Sequence, residues 1–293
     1  MKKAIKLIKN NLYLPTNGTW DHIDNMIKSI LSRDKILKII NLPKVASKLI
    51  KEKTTESIYS IDKINNFILA INIIGWTIWT SIDLIRDNQN YAIKNKDNYD
   101  HLFIYILLRP SIDKLIQFCS LSKSEADKVF RKICFMEYSN FIFCELAIKH
   151  QYILKSIGVA IPMLIFLIKI GASKKDIQSC YRYFYHFIGA RQLSDDAYDW
   201  REDMKKGQRT LVTEWLEEEI GKNRSVREYR KSFDSTISPR VARTILKHAK
   251  TSMRYARKIS CFTSTEFLEE LPRFYEEMAQ KILAKYAENK LRA

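Results

Sequence analysis

GARQLSDDAYDWREDMKKGQRTL, from Gly189 to Leu211, is the stretch on which the reading of this chain turns. Asp195, Asp199 and Asp203 recur in it at every fourth position. On an α-helix that spacing puts the three carboxylates on one face, drifting slowly about the axis, with Asp196 about 100° away at its edge. Like charges at i, i+4 and i+8 repel, and no cation on the same stripe offsets them. A stripe of this kind persists when a cation sits on it. Magnesium suits it, as a hard ion that takes oxygen ligands and is held by one or two carboxylates together with substrate phosphates. The competing reading is a solvated acidic face neutralised by Arg201, Lys205 and Lys206.

A second acidic pair lies upstream. Asp83 and Asp87 are again four apart, at the end of an apolar run from about residue 64 to 85. Asn72, Trp76 and Trp79 fall below Asp83 on roughly the same helical stripe. Below Asp195 and Asp199 the corresponding stripe carries Gln192, Ile188, Tyr185, Phe184 and Tyr181. Both helices thus place aromatic and apolar residues beneath carboxylates. Facing each other, they would form an apolar pocket with a metal-binding rim, although each aromatic taken alone reads first as ordinary core.

Outward from these two stretches the chain reads as helical throughout. Of its 293 residues 46% are apolar, enough for a sizeable core, whereas seven glycines and six prolines are few for a sheet protein of this length. Breaks are expected at Pro15–Gly18, Pro43, Gly171, Gly207, Pro239 and Pro272, with Asp21 and Asp34 as helix caps and a kink at Gly158–Pro162. Ser173 starts the helix that carries the acidic motif, and Gly207 ends it. Helices are also expected over 98–118 and 121–150, the latter opened by a Ser122–Glu125 capping box. No repeat or linker marks a boundary, so 1–293 reads as a single domain.

The net charge of +17 suits an anionic partner: nucleic acid, anionic lipid or a phosphorylated small molecule. It suits equally a Lys-rich composition spread over solvated faces. No nucleic-acid-binding signature is present, so no nucleic-acid partner is expected. Five cysteines, an odd number without a C-x-x-C pair, read as reduced thiols in a cytoplasmic protein rather than as a zinc site. The basic N-terminus is too short and interrupted for a secretory signal. Asn65, Asn66, Asn72 and Asp83 argue that the 64–85 run is a buried helix and not a membrane span.

The two acidic motifs together resemble the class I isoprenoid synthase superfamily, which includes trans-prenyltransferases, terpene cyclases and squalene/phytoene synthases. Gln192, Asp195, Asp199, Glu202, Asp203, Lys206, Gly207 and Arg209 match the second motif of phytoene synthases. Asp195, Asp196 and Asp199 also give the D-D-x-x-D of chain-elongating enzymes. The resemblance implies an all-α antiparallel helical bundle around a central apolar cavity. It implies more than one Mg²⁺, with Mn²⁺ an alternative, on Asp83, Asp87, Asp195, Asp196, Asp199 and Asp203, and a prenyl diphosphate substrate. Asp83, Asp87, Asp195 and Asp199 become the catalytic set. Lys206, Arg209 and Lys155 become candidates to grip the diphosphate, and Trp76, Trp79, Tyr181 and Tyr185 to line the cavity, where aromatic faces stabilise a carbocation. Arg273-Phe274-Tyr275 is similar to the late Arg-Tyr pair of terpene cyclases. His150 and His186 read as buried polar or surface residues rather than bases.

Three departures order the activities. Leu84 breaks the first D-D-x-x-D, Arg191 replaces the Phe before Gln in elongating enzymes, and no Gly-Lys-x-x-Arg-Pro-like segment lies upstream. The expectation is therefore a terpene-cyclase-like or head-to-head condensing enzyme. Chain elongation is the alternative, and a degenerate, non-catalytic lipid- or partner-binding protein stands behind both. A homodimer and a peripheral membrane contact are compatible with each.

Overall fold

The computed structural model describes residues 2–11, 17–50, 65–77, 124, 152–153 and 156–292. The regular elements among them are helical, and the isolated antiparallel bridge between Ile50 and Phe262 is their one pairing of extended backbone. The chain divides into two compact units, each assembled from separated stretches. Met1–Phe135, Gly158–Ile177 and Cys261–Ser264 form the first, and Met136–Ile157, Gln178–Ser260 and Thr265–Ala293 the second.

The first unit contains α1 (Lys2–Asn11), α2 (Asn17–Leu31), α3 (Asp34–Ser47), α4 (residues 65–77) and α5 (Ile161–Lys169). Ile23, Ile27 and Ile30 form the buried stripe of α2, at the spacing of one helical face. In α5 every residue from Ile161 to Leu167 is buried, as expected of a helix apolar on all sides. Helix α4 is buried along Ile68, Ala70, Ile71, Ile73 and Ile74. Its polar residues are satisfied by backbone: Asn72 donates to the Ile40 carbonyl at 3.3 Å, and Thr77 to that of Ile73 at 2.9 Å. No helix among the described residues is long and apolar enough to cross a membrane.

The second unit is organised on α6 (Lys174–Lys206) from Gln178 onward, with α7 (Leu211–Ile220), α8 (Val226–Ser232), α9 (Ser238–Ala256) and α10 (Glu266–Arg292). Local chemistry sets both ends of α6. The Ser173 hydroxyl accepts from the Asp176 amide at 3.1 Å. Gly207, at φ 66°, turns the chain so that the Gln208 amide reaches the Asp203 carbonyl at 2.8 Å. Capping boxes at Thr210–Thr213 and Ser225–Glu228 open α7 and α8. Tyr183, Phe184 and Phe187 fill the core beneath α6, and the buried Tyr183 hydroxyl donates to the Leu268 carbonyl at 2.7 Å.

Four expected breaks and caps are corrected. Pro43 lies inside α3, which continues to Ser47; the helix forgoes one backbone hydrogen bond, while buried Leu42 and Ala46 hold the turn. Pro272 likewise lies inside α10. Asp21 sits within α2, and Asp34 is the first residue of α3 after an N-cap, Arg33, that makes no side-chain cap. Pro239 stands in the first turn of α9, just after a π-turn over Phe233–Ile237, where its missing N–H costs least. The expected kink at Gly158–Pro162 is a 3-10 turn, Ile157–Ala160, leading into Pro162 at the start of α5. The helices expected over 98–118 and 121–150 lie almost wholly outside the described residues.

Candidate active site

Helix α6 sorts the acids of the motif into two lines. Asp195, with 48% of its side chain accessible, and Asp199 are exposed, as is Glu202. Asp196 and Asp203 are buried, at 4% and 8% accessibility, with Trp200 between them. The helical turn explains this. Over eight residues the drift reaches about 80°, which carries Asp203 off the Asp195 line and onto that of Asp196, seven residues before it. The exposed line is therefore Asp195–Asp199–Glu202 and the buried line Asp196–Trp200–Asp203.

Each line has its own partners. Arg191 Nε lies 3.7 Å from Asp195 Oδ2, one turn back on the same helix, so the acidic stripe, expected to carry no offsetting cation, has one four residues before Asp195. Lys206 Nζ pairs with Glu202 at 2.8 Å, and that contact holds the Glu202 carboxyl below its usual range. Arg209 pairs with Glu214 of α7, also at 2.8 Å. Two of the three cations expected to grip a diphosphate, Lys206 and Arg209, thus rest on neighbouring carboxylates. On the buried line, Gln192 Nε2 donates to Asp196 Oδ1 at 3.0 Å, and Ser156 donates to Gln192 Oε1 at 3.5 Å. Trp200 stacks on Phe233 with centroids 5.2 Å apart, and Arg201 lies over its ring.

Two tyrosines lie close to these acids. Burial raises the Tyr152 phenol well above its ordinary range, with Tyr185 and Asp196 adding to it. Burial pushes Tyr275 of α10 up to about 12, while Arg191 pulls it down and Asp195 pushes it further. Tyr181 and Tyr185, expected in the cavity wall, are half-buried, and burial raises both.

Behind this face runs a polar chain. The Tyr152 hydroxyl meets His248 Nε2 at 3.1 Å, and His248 Nδ1 meets His186 Nδ1 at 3.2 Å. In the second contact one ring must donate and the other accept. Burial, with Arg254, Arg182 and Lys247 nearby, lowers His186 to about 4. Gly189 makes room: a Cβ there would stand 2.6 Å from His248 Nδ1.

The structure brings together Gln192, Asp195, Asp196, Asp199 and Asp203 on α6, with Tyr275 beside Asp195. Tyr152, Ser156 and His248 join them without having been singled out from the sequence, where nothing local marks them. Trp76 is buried on α4 of the other unit. Trp79, Asp83, Asp87, Lys155 and His150 lie outside the described residues. Among the described residues no three carboxylate, imidazole or thiol side chains converge tightly enough to hold a metal alone. The donor set still fits magnesium: carboxylate oxygens on an exposed line, in a number that leaves the remaining positions to water and substrate phosphate.

No family model and no curated protein matches the sequence. Solved structures do match the fold. Geranylgeranyl pyrophosphate synthase from Corynebacterium glutamicum aligns with a TM-score of 0.62 at 11% identity, over 95% of this chain and 99% of that one. Octaprenyl pyrophosphate synthase from Helicobacter pylori gives 0.63 at 14%, over 94% and 96%. Geranylgeranyl pyrophosphate synthetase from the archaeon Geoglobus acetivorans gives 0.59 at 14%, over 88% and 97%. The chain therefore shares the all-α fold of these three synthases.

Proposed function

We propose that this chain is a prenyl diphosphate enzyme of the trans-prenyltransferase kind, joining an allylic prenyl diphosphate to isopentenyl diphosphate. One observation carries the reading: in a chain of this fold, one helix sets Asp195 and Asp199 on an exposed line above half-buried Tyr181 and Tyr185. The names of the fold's neighbours favour elongation over the cyclising or head-to-head activity that the motifs put first.

In this reading Asp195 and Asp199, with Asp83 and Asp87 of the first motif, would hold Mg²⁺ or Mn²⁺. When bound, the metal supplies positive charge against the departing pyrophosphate. The protein's own groups do the rest. Gln192 fixes the Asp196 carboxylate from one turn away. Tyr181 and Tyr185 offer ring faces to a carbocation and help keep water from it. Lys206 and Arg209 would exchange their present carboxylate partners for a diphosphate. Trp76 and Trp79 would complete the apolar wall.

A specific observation keeps the cyclising or head-to-head reading alive: Arg191, where elongating enzymes carry Phe, lies within 3.7 Å of Asp195. Incubation with geranyl, farnesyl and geranylgeranyl diphosphate plus Mg²⁺, with and without isopentenyl diphosphate, separates the readings. Elongation gives a heavier diphosphate only when isopentenyl diphosphate is present. Cyclisation or head-to-head condensation releases pyrophosphate without it. No pyrophosphate release under either condition points to a non-catalytic binding protein.

A further inference from the structure

From Ser235 to Thr265 the chain contains no acid and seven cations: Arg240, Arg243, Lys247, Lys250, Arg254, Arg257 and Lys258. Helix α9 carries the first five, all exposed. At 100° per residue they fall within about 80° of arc, over roughly 21 Å of helix. The opposite face, with Val241, Ala242, Ile245, Ala249 and Met253, is buried. Two of the five cations are partly neutralised: Arg240 lies 3.6 Å from Glu218, and Lys250 3.9 Å from Glu276. Among the described residues no carboxylate stands within ion-pair distance of Arg243, Lys247 or Arg254.

The field of this stripe reaches its neighbours. Arg182, Arg254 and Lys258 all lie within 5.5 Å of the Tyr255 ring centre. Arg182 donates to its hydroxyl at 3.0 Å, and that bond, with the surrounding positive charge, holds the phenol below its ordinary range. Like charges gathered without counter-ions cost stability. That cost is recovered when an extended anionic partner covers them.

We propose that the outer face of α9, centred on Arg243, Lys247 and Arg254, docks the protein on an anionic lipid bilayer. The face is one side of a straight helix, suited to a plane of headgroups. A single-stranded nucleic acid needs open aromatic faces between cations, and the rings at this stripe are already covered, Tyr255 by three cations and Trp215 by Arg240 at 4.1 Å. The inference does not depend on the chemistry proposed above, and its test needs no turnover.

The test is co-sedimentation of the full chain with phosphatidylcholine vesicles, with and without phosphatidylserine. The protein is expected to sediment only with the anionic vesicles and to be released by salt. The triple variant Arg243→Gln, Lys247→Gln, Arg254→Gln should bind about a hundredfold more weakly, at roughly fivefold per cation. An equally charged control, Arg227→Gln, Lys231→Gln, Lys285→Gln, should lose no more than one cation's share. If the triple variant melts early, Arg243→Gln and Lys247→Gln measured singly each carry the test, at roughly fivefold apiece. Absence of wild-type binding, or equal loss in stripe and control variants, overturns the proposal. So does tighter binding to RNA than to vesicles at the same ionic strength, which would make the stripe a nucleic-acid face.

Discussion

Gln192 donates from Nε2 to Asp196 Oδ1 across 3.0 Å, one turn along α6. Asp196 is almost wholly buried, so this amide is a principal means by which its carboxylate is held in place. In Gln192→Leu the donor is gone and the acid remains. Leaving a buried hydrogen-bonding group without its partner costs about 1–3 kcal/mol. Urea unfolding should show a lower midpoint with an unchanged slope, and Gln192→Glu should also lower it, because it replaces the amide donor with a second carboxyl. A midpoint equal to wild type in both variants would mean that Asp196 relies on other partners.

Gly189 is needed for the close approach of His248. Gly189→Ala sets a methyl 2.6 Å from His248 Nδ1 and 3.1 Å from Ile153 Cδ1. The ring must move, which strains its contacts to His186 and Tyr152, at a cost of about 1–3 kcal/mol. Adding His248→Ala removes the obstacle, so the double variant should lose less than the sum of the two single losses. Additive losses in a thermal-melt cycle would place the damage elsewhere.

His186 makes acid stability depend on the second unit. Its imidazole falls from an ordinary 6.5 to about 4 on folding, chiefly through burial. Between those values the unfolded chain binds more protons than the folded one, so this contribution is present above pH 6.5 and is lost as pH falls toward 4. Melting temperatures over that window should fall less steeply in His186→Gln than in wild type. Parallel curves would show that the residue does not titrate as described.

Arg191 competes for Asp195. Its guanidinium lies 3.7 Å from a carboxylate half open to solvent, so the pair is weak, worth at most about 1 kcal/mol. Arg191→Phe should lower the half-activating Mg²⁺ concentration by up to about fivefold. An unchanged metal dependence would show that Arg191 does not restrain Asp195.

How far the sequence could be read depended on how local each determinant was. The ends of α6 were legible because Ser173 caps three residues ahead and Gly207 turns at its own position. The acidic period was legible too, but which acids are buried was not, since that depends on what covers α6 at Trp200. Tyr152 and Ser156 meet partners 96 and 36 residues away, at His248 and Gln192, a separation that leaves no local trace. Pro43 and Pro272 misled for the opposite reason: local propensity argued for a break, and burial of neighbours such as Leu42, Ala46 and Leu271 outweighed it.

The central claim is that the carboxylates on α6 serve the release of pyrophosphate from a prenyl diphosphate. Pyrophosphate release from allylic diphosphates in Mg²⁺, compared between wild type and Asp195→Asn, tests it most directly. The account predicts turnover by wild type, and a fall of at least about a hundredfold in a variant that melts normally. Equal release by the two proteins would contradict it.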